Sequence, residues 1–303
     1  MTVAIHGVNG RPLAAFFSGE SMLKQRVITA LVLLALLLPA LFAANPWPFM
    51  VLTVVLIAAG AWEWGCLNAM GPLWSWVGAL VALALCGLAQ RLGWVSETPP
   101  VVWLFAGAGW VLLGAWMIHR GVTAWALWPR SLRWAMGLML LSLAWLAMAQ
   151  AHQRGVNFLL SVLVLVWAAD VFAYFFGRAF GGRLVGVKLA PSISPGKSWE
   201  GVFGGMLGVM LVALIWVAVD RRWALPGLSF YSLLFAKGAW VAWPALLFMC
   251  AMSVVGDLVE SLVKRSAGMK DSSGLLPGHG GVLDRVDALL PTLPLAMMLV
   301  AGI

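Results

Sequence analysis

Apolar runs close to the length of a bilayer crossing recur along this chain, at 27–45, 48–67, 72–90, 101–118, 134–151, 157–176, 200–219, 239–259 and 286–303. About 20 apolar residues at helical rise cover the ~30 Å hydrocarbon core of a membrane. A segment surrounded by lipid must satisfy its own backbone hydrogen bonds, so each run is expected as a helix. The pattern predicts an all-α polytopic membrane protein with about nine transmembrane helices, forming a single domain over residues 22–303. The last run is short for a span, and 228–238 reads either as an interfacial turn or as the start of the eighth helix. Asn45-Pro46 and Pro99-Pro100 mark two of the linkers. No fixed-period repeat is visible. Residues 1–21 lack both a basic segment leading into an apolar core and a cleavage motif, so they do not read as a signal peptide. They read as an N-terminal tail, or as sequence ahead of a true start at Met22.

Composition narrows this picture. The chain is 63% hydrophobic and 10% charged, with a mean hydropathy of +0.97, which excludes a soluble globule. A net charge of +8 fits either nucleic acid or an anionic membrane surface. Here the bases lie in short loops between apolar runs, so the membrane reading holds and no nucleic-acid partner is expected. With the N-terminus inside, fourteen of the 19 Lys and Arg residues fall on the cytoplasmic side. The two long polar loops, 177–199 and 260–285, then share that side, and a polar cavity open to the cytoplasm is expected between them. Cys66, Cys86 and Cys250 stand apart in apolar context, without metal or disulfide spacing.

Charge is concentrated in three places. Asp170, Tyr174 and Arg178 are spaced four apart in WAADVFAYFFGR, so they stack on one helical face. Ionisable groups within membrane segments are costly, and function is their default reading; the plainer alternative is a satisfied polar contact with a neighbouring helix. The next loop ends in Ser194-Pro195-Gly196-Lys197-Ser198, just ahead of a helix opened by Trp199 and Glu200. Free N–H groups at a helix start plus a lysine make a phosphate cradle. It is not a P-loop, because Pro191 stands where the first glycine belongs. Ser198 also reads as a simple helix cap and Lys197 as a membrane-side anchor.

The third and densest stretch is Ser253–Asp287. Asp257, Glu260 and Lys264 fall on one face of the eighth helix, and Asp284 and Asp287 share a face where the ninth begins. Mg²⁺ is a hard cation that takes one or two carboxylates, with substrate phosphate and water completing its shell. Between them, Pro277-Gly278-His279-Gly280-Gly281 is pliant enough to bring backbone N–H groups to an anion. Glu260 also reads as no more than a salt-bridge partner of Lys264.

Over Ser261–Asp287, SLVKRSAGMKDSSGLLPGHGGVLDRVD, the chain resembles the phosphatidate cytidylyltransferases, or CDP-diacylglycerol synthases. Ser, Lys-Arg, Lys-Asp, Pro-x-His-Gly-Gly, Asp-Arg and a final Asp stand in the family order. SPGKSWEG, DVFAYFFGR and the opening MLKQRVITAL are similar to family elements as well, so the resemblance covers 22–303. It implies transfer of CMP from CTP to phosphatidate in phospholipid biosynthesis, giving CDP-diacylglycerol and pyrophosphate, with Mg²⁺ and a second monovalent cation such as K⁺. It also implies a multi-pass homodimer of the bacterial inner membrane. By motif position, Asp257 and Asp284 are expected as metal ligands, with Asp287 behind them. Ser194, Lys197 and Ser198 are expected on the CTP phosphates, with Lys264 and Arg265 close by. Asp170, Tyr174, Lys270 and Arg285 are the remaining expected substrate contacts. The phosphatidate monoester is largely dianionic near neutral pH and needs no strong base, so His279 is expected to support phosphate or Asp284. Two other readings stay open: a related cytidylyl or kinase enzyme acting on a polyprenol or other lipid alcohol, and an ion-coupled transporter using Asp170 and Asp257.

Overall fold

A computed structural model describes residues 13–223 and 226–301, with side chains described from Leu23 onward. Eight of its helices are long and apolar enough to cross a membrane. They are α1 (Leu13–Phe42), α2 (Trp47–Leu67), α3 (Gly71–Arg91), α4 (Pro100–Arg120), α6 (Arg130–Arg154), α7 (Val156–Phe180), α8 (Trp199–Trp223) and α10 (Ala239–Ser266). Short helices α5 (Val122–Leu127) and α9 (Phe230–Ala236) lie between spans. The segment at 228–238 is therefore a separate turn of helix, broken from α10 at Gly238, whose φ is +110°. Helix α1 begins ahead of Met22, and residues 1–12 of the expected tail lie outside the described residues.

The ninth expected span differs. The run at 286–303 follows a 4-residue α11 (Leu283–Val286) and contributes a 12-residue α12 (Leu289–Val300). Twelve residues rise only about 18 Å, short of the hydrocarbon thickness. Residues Leu289 to Met297 are all buried inside the bundle. Hydropathy cannot tell a helix buried in protein from one bathed in lipid, which is why the run reads as a span.

A second difference lies in the loop after α7. It contains a hairpin, β1 (Lys188–Ala190) and β2 (Ser194–Ser198), with Lys188 paired to Ser198 and Ala190 to Ser194. In lipid no hydrophobic force draws helices together, so close packing relies on small residues that let backbones approach. Helix α8 carries the stripe Gly201, Gly204, Gly205 and Gly208 against α7. A Cβ on Gly204 would come within 2.3 Å of Phe176, and one on Gly208 within 2.2 Å of Phe172. This close approach sets the ends of α7 and α8 side by side, where the polar residues gather. Gly256 plays the same part on α10, where an added Cβ would sit 2.6 Å from the Asp287 carbonyl oxygen.

Candidate active site

A cleft of about 450 Å³ opens between the ends of α7, α8 and α10 and the hairpin, lined by Asp170, Tyr174, Arg178, Lys197, Ser198 and Asp257 among others. The four-residue spacing on α7 puts its three polar groups in one row, and Arg178 Nη1 donates to Tyr174 Oη at 3.1 Å. Strand β2 delivers Lys197, whose Nζ lies 2.7 Å from Asp257 Oδ2. Ser261 Oγ donates to the other Asp257 oxygen at 3.2 Å. Ser198 caps α8, its Oγ accepting from Gly201 N–H at 3.2 Å. Ser194 stands at the start of β2. Glu200 Oε1 accepts from the N–H groups of Gly182, Leu184 and Val185 at 3.0, 3.1 and 3.0 Å, which ties the loop before β1 to α8.

A second cluster sits further along α10. Lys264 Nζ lies 2.5 Å from Glu260 Oε2 and 2.5 Å from Asp284 Oδ1. Asp284 Oδ2 accepts from Ser272 N–H at 2.8 Å, Ser272 Oγ at 2.9 Å and Gly281 N–H at 2.8 Å. Burial opposes the charge on Asp284, yet the Lys264 ammonium and the two N–H groups hold its carboxyl below the usual carboxylate range. The loop between turns tightly: Leu276 N–H donates to Gly280 O and His279 N–H to Leu276 O, both at 2.8 Å. Gly278 and Gly280 make this possible with φ of +74° and +83°. Helix α1 grips the same turn, Arg26 Nε donating to Gly278 O at 3.0 Å and Thr29 Oγ1 to Pro277 O at 2.9 Å.

These placements sort the expected residues. Asp170, Tyr174, Lys197, Ser198 and Asp257 share the cleft. Asp257 and Asp284 do not share one pair of partners: seven residues of α10 separate Asp257 from Lys264, about 10 Å along the axis, and Lys264 holds Asp284. Asp287 is tied to α10 beside Asp257 through its backbone, its carbonyl oxygen resting against Gly256. Arg285 turns onto the loop itself, Nε and Nη2 donating to His279 O at 3.0 and 2.6 Å. Arg265 is exposed and reaches Met269 O at 3.3 Å. Lys270 is exposed, and His279 is half-buried.

No group of three or more His, Cys, Asp or Glu side chains gathers as a metal cluster among the described residues. The donors present still suit a hard cation that completes its shell with substrate oxygens: Asp170 and Asp257 line the same cleft, and the Asp287 backbone rests on Gly256 next to Asp257. Asp284 is less free, since four donor contacts already occupy its two oxygens.

Sequence reasoning missed Glu63, on α2. It is fully buried and accepts from Ser273 Oγ at 2.5 Å, Ser272 Oγ at 3.1 Å, Val282 N–H at 2.9 Å and Leu283 N–H at 2.8 Å. The available signal was a lone acid inside an apolar run, Trp62-Glu63-Trp64. Its partners lie more than 200 residues away, so nothing local pointed to them.

A model of the cytidylyltransferase family matches residues 24–302. A Pseudomonas aeruginosa protein named phosphatidate cytidylyltransferase is 39% identical over 288 residues, covering 93% of this chain and 98% of its own. A Haemophilus influenzae protein of that name is 35% identical over 293 residues, 90% and 96% of the two chains. One from Bacillus subtilis is 38% identical over 149 residues, about half of each chain at 49%.

Proposed function

This chain belongs to the cytidylyltransferase family, and from that premise we propose that it transfers CMP from CTP to phosphatidate, releasing pyrophosphate and leaving CDP-diacylglycerol in the membrane. The observation that carries the reading is the cleft at one end of a membrane bundle, where Lys197, Ser198 and the start of α8 stand opposite Asp257 and Asp170. A phosphate oxygen of the lipid attacks the α-phosphorus of CTP, and the bond from that phosphorus to the pyrophosphate oxygen breaks. Both reactants are anions, so the protein's work is to offset repulsion and hold an in-line geometry. Lys197 leaves Asp257 for the triphosphate, and the N–H groups at the start of α8 take a second phosphate contact. Arg178 and Tyr174 stand on the opposite wall, where the lipid headgroup enters with its acyl chains still in the bilayer. Asp257 would hold Mg²⁺, with Asp287 behind it, and the ion when bound supplies charge neutralisation for the nucleotide and the departing pyrophosphate. Lys264, fixed between Glu260 and Asp284, adds a fixed positive charge below them. Most of the bases lie on the face carrying these loops, which supports placing that face on the cytoplasmic side.

The direct test is purified protein in detergent with labelled CTP and phosphatidate. A labelled liponucleotide should form, vanish on chelation and return with Mg²⁺. Absence of product, together with ion flux in proteoliposomes, would replace this reading with the transporter one. Lys197→Ala should raise the apparent KM for CTP about tenfold or more, the order expected when a charged hydrogen bond is lost. Unchanged KM and kcat would remove Lys197 from the nucleotide site.

A further inference from the structure

We propose that Glu63 is a positioning residue for CMP transfer, acting through the loop 271–283 rather than on either substrate; the proposal rests on the function assigned above. Its carboxylate belongs to α2, a span that contributes nothing to the cleft. Yet it is the inner anchor of the loop that carries Asp284. Val282 and Leu283 each donate a backbone N–H to a different Glu63 oxygen. Ser273 Oγ, itself accepting from Leu275 N–H at 3.1 Å, spends its own hydrogen on Glu63 Oε1. Ser272 Oγ stands between two acids, 3.1 Å from Glu63 Oε2 and 2.9 Å from Asp284 Oδ2, and has one hydrogen to serve them. The relay therefore runs from Glu63 through Ser272 to Asp284 and on to Lys264.

Only an acid matches this set of donors. A carboxylate accepts at both oxygens, whereas an amide turns one end into a donor facing N–H or O–H groups. The space is also tight: a Cβ on Gly281 would lie 2.4 Å from Glu63 Oε1 and 2.0 Å from Ser272 Oγ. Hydrophobic packing alone would hold α2 to the bundle. What it would not do is set the depth and register of the loop to within the hydrogen-bond tolerance that places Asp284 and, through it, Lys264.

The test compares Glu63→Gln, Ser272→Ala and Ser273→Ala with the parent, all in the same detergent. Three quantities are read: melting temperature, hydrogen exchange of peptides spanning 271–283, and kcat and KM for CTP and for phosphatidate. For Glu63→Gln the expected result is a folded protein with exchange in 271–283 at least tenfold faster. Its kcat should fall ~30-fold, with both KM values within threefold of the parent. The two serine variants should show the same split at ~3- to 10-fold. If Glu63→Gln does not fold, the serine variants decide the matter alone. Parental kcat in them, or a lower kcat without faster exchange at 271–283, overturns the proposal. Exchange is read without substrate, so an inactive parent would refute the assigned reaction while leaving the loop anchor measurable.

Discussion

Asp284→Asn should lower kcat for CMP transfer by about 100-fold or more while the protein stays folded and monodisperse. Asparagine keeps an acceptor for the N–H groups of Ser272 and Gly281, so the loop retains those contacts. It also removes the negative charge that Lys264 Nζ meets at 2.5 Å and turns an NH₂ towards that ammonium. A hydrogen bond to a charged group is worth roughly 1.5–3 kcal/mol, and each 1.36 kcal/mol is about tenfold in rate. Displacement of Lys264 away from Asp284 adds to the loss. The measurement is turnover at saturating CTP beside a melting curve. Turnover within threefold of the parent would show that Asp284 does not hold Lys264 in a working position.

The second large effect is on stability. In Lys264→Met the single cation between Glu260 and Asp284 is gone, and both acids stay in place with their side chains 3% and 6% exposed. Stranding buried charge costs about 3 to 5 kcal/mol, so the melting temperature should drop by many degrees and activity should be lost with it. Adding Glu260→Gln removes one of the two stranded charges. The double variant should recover part of the melting temperature and none of the turnover, which separates the structural share of Lys264 from its share in the chemistry. A parental melting temperature for Lys264→Met would mean that the three groups are not charged as their contacts indicate.

The two results bear on one feature of the architecture. The polar groups are split between an open cleft around Lys197 and Asp257 and a buried knot around Lys264 and Asp284, about two helical turns apart on α10. The cleft is accessible, so its residues are suited to meeting substrates. The knot is closed, and Lys264, Asp284 and Glu63 are each held by several contacts, so its residues are suited to holding a shape. The serine-rich turn 271–273, Glu63 and the α1 contacts at Pro277 and Gly278 all serve the knot.

Period and run length alone determined the helical membrane class and seven of the crossings between α1 and α10, because each is a local consequence of apolar residues in lipid; the eighth followed with its start blurred by α9. The same local logic placed Asp170, Tyr174 and Arg178 in one row and paired Glu260 with Lys264, since four-residue spacing needs only the helix to form. The signature over Ser261–Asp287 located the chemistry for a similar reason: its residues are contiguous. What only the tertiary structure decided is everything that joins distant segments. It made the last apolar run a buried 12-residue helix, folded SPGKS into a strand, and brought Lys197 to Asp257. It also laid the Asp287 backbone against Gly256, tied Asp284 to Lys264, and seated Glu63 under a loop some 210 residues away. Hydropathy and spacing report what a residue's neighbours in sequence impose. They are silent on which carboxylate meets which donor across a bundle, because that depends on how closely glycine stripes such as Gly201–Gly208 let the helices approach.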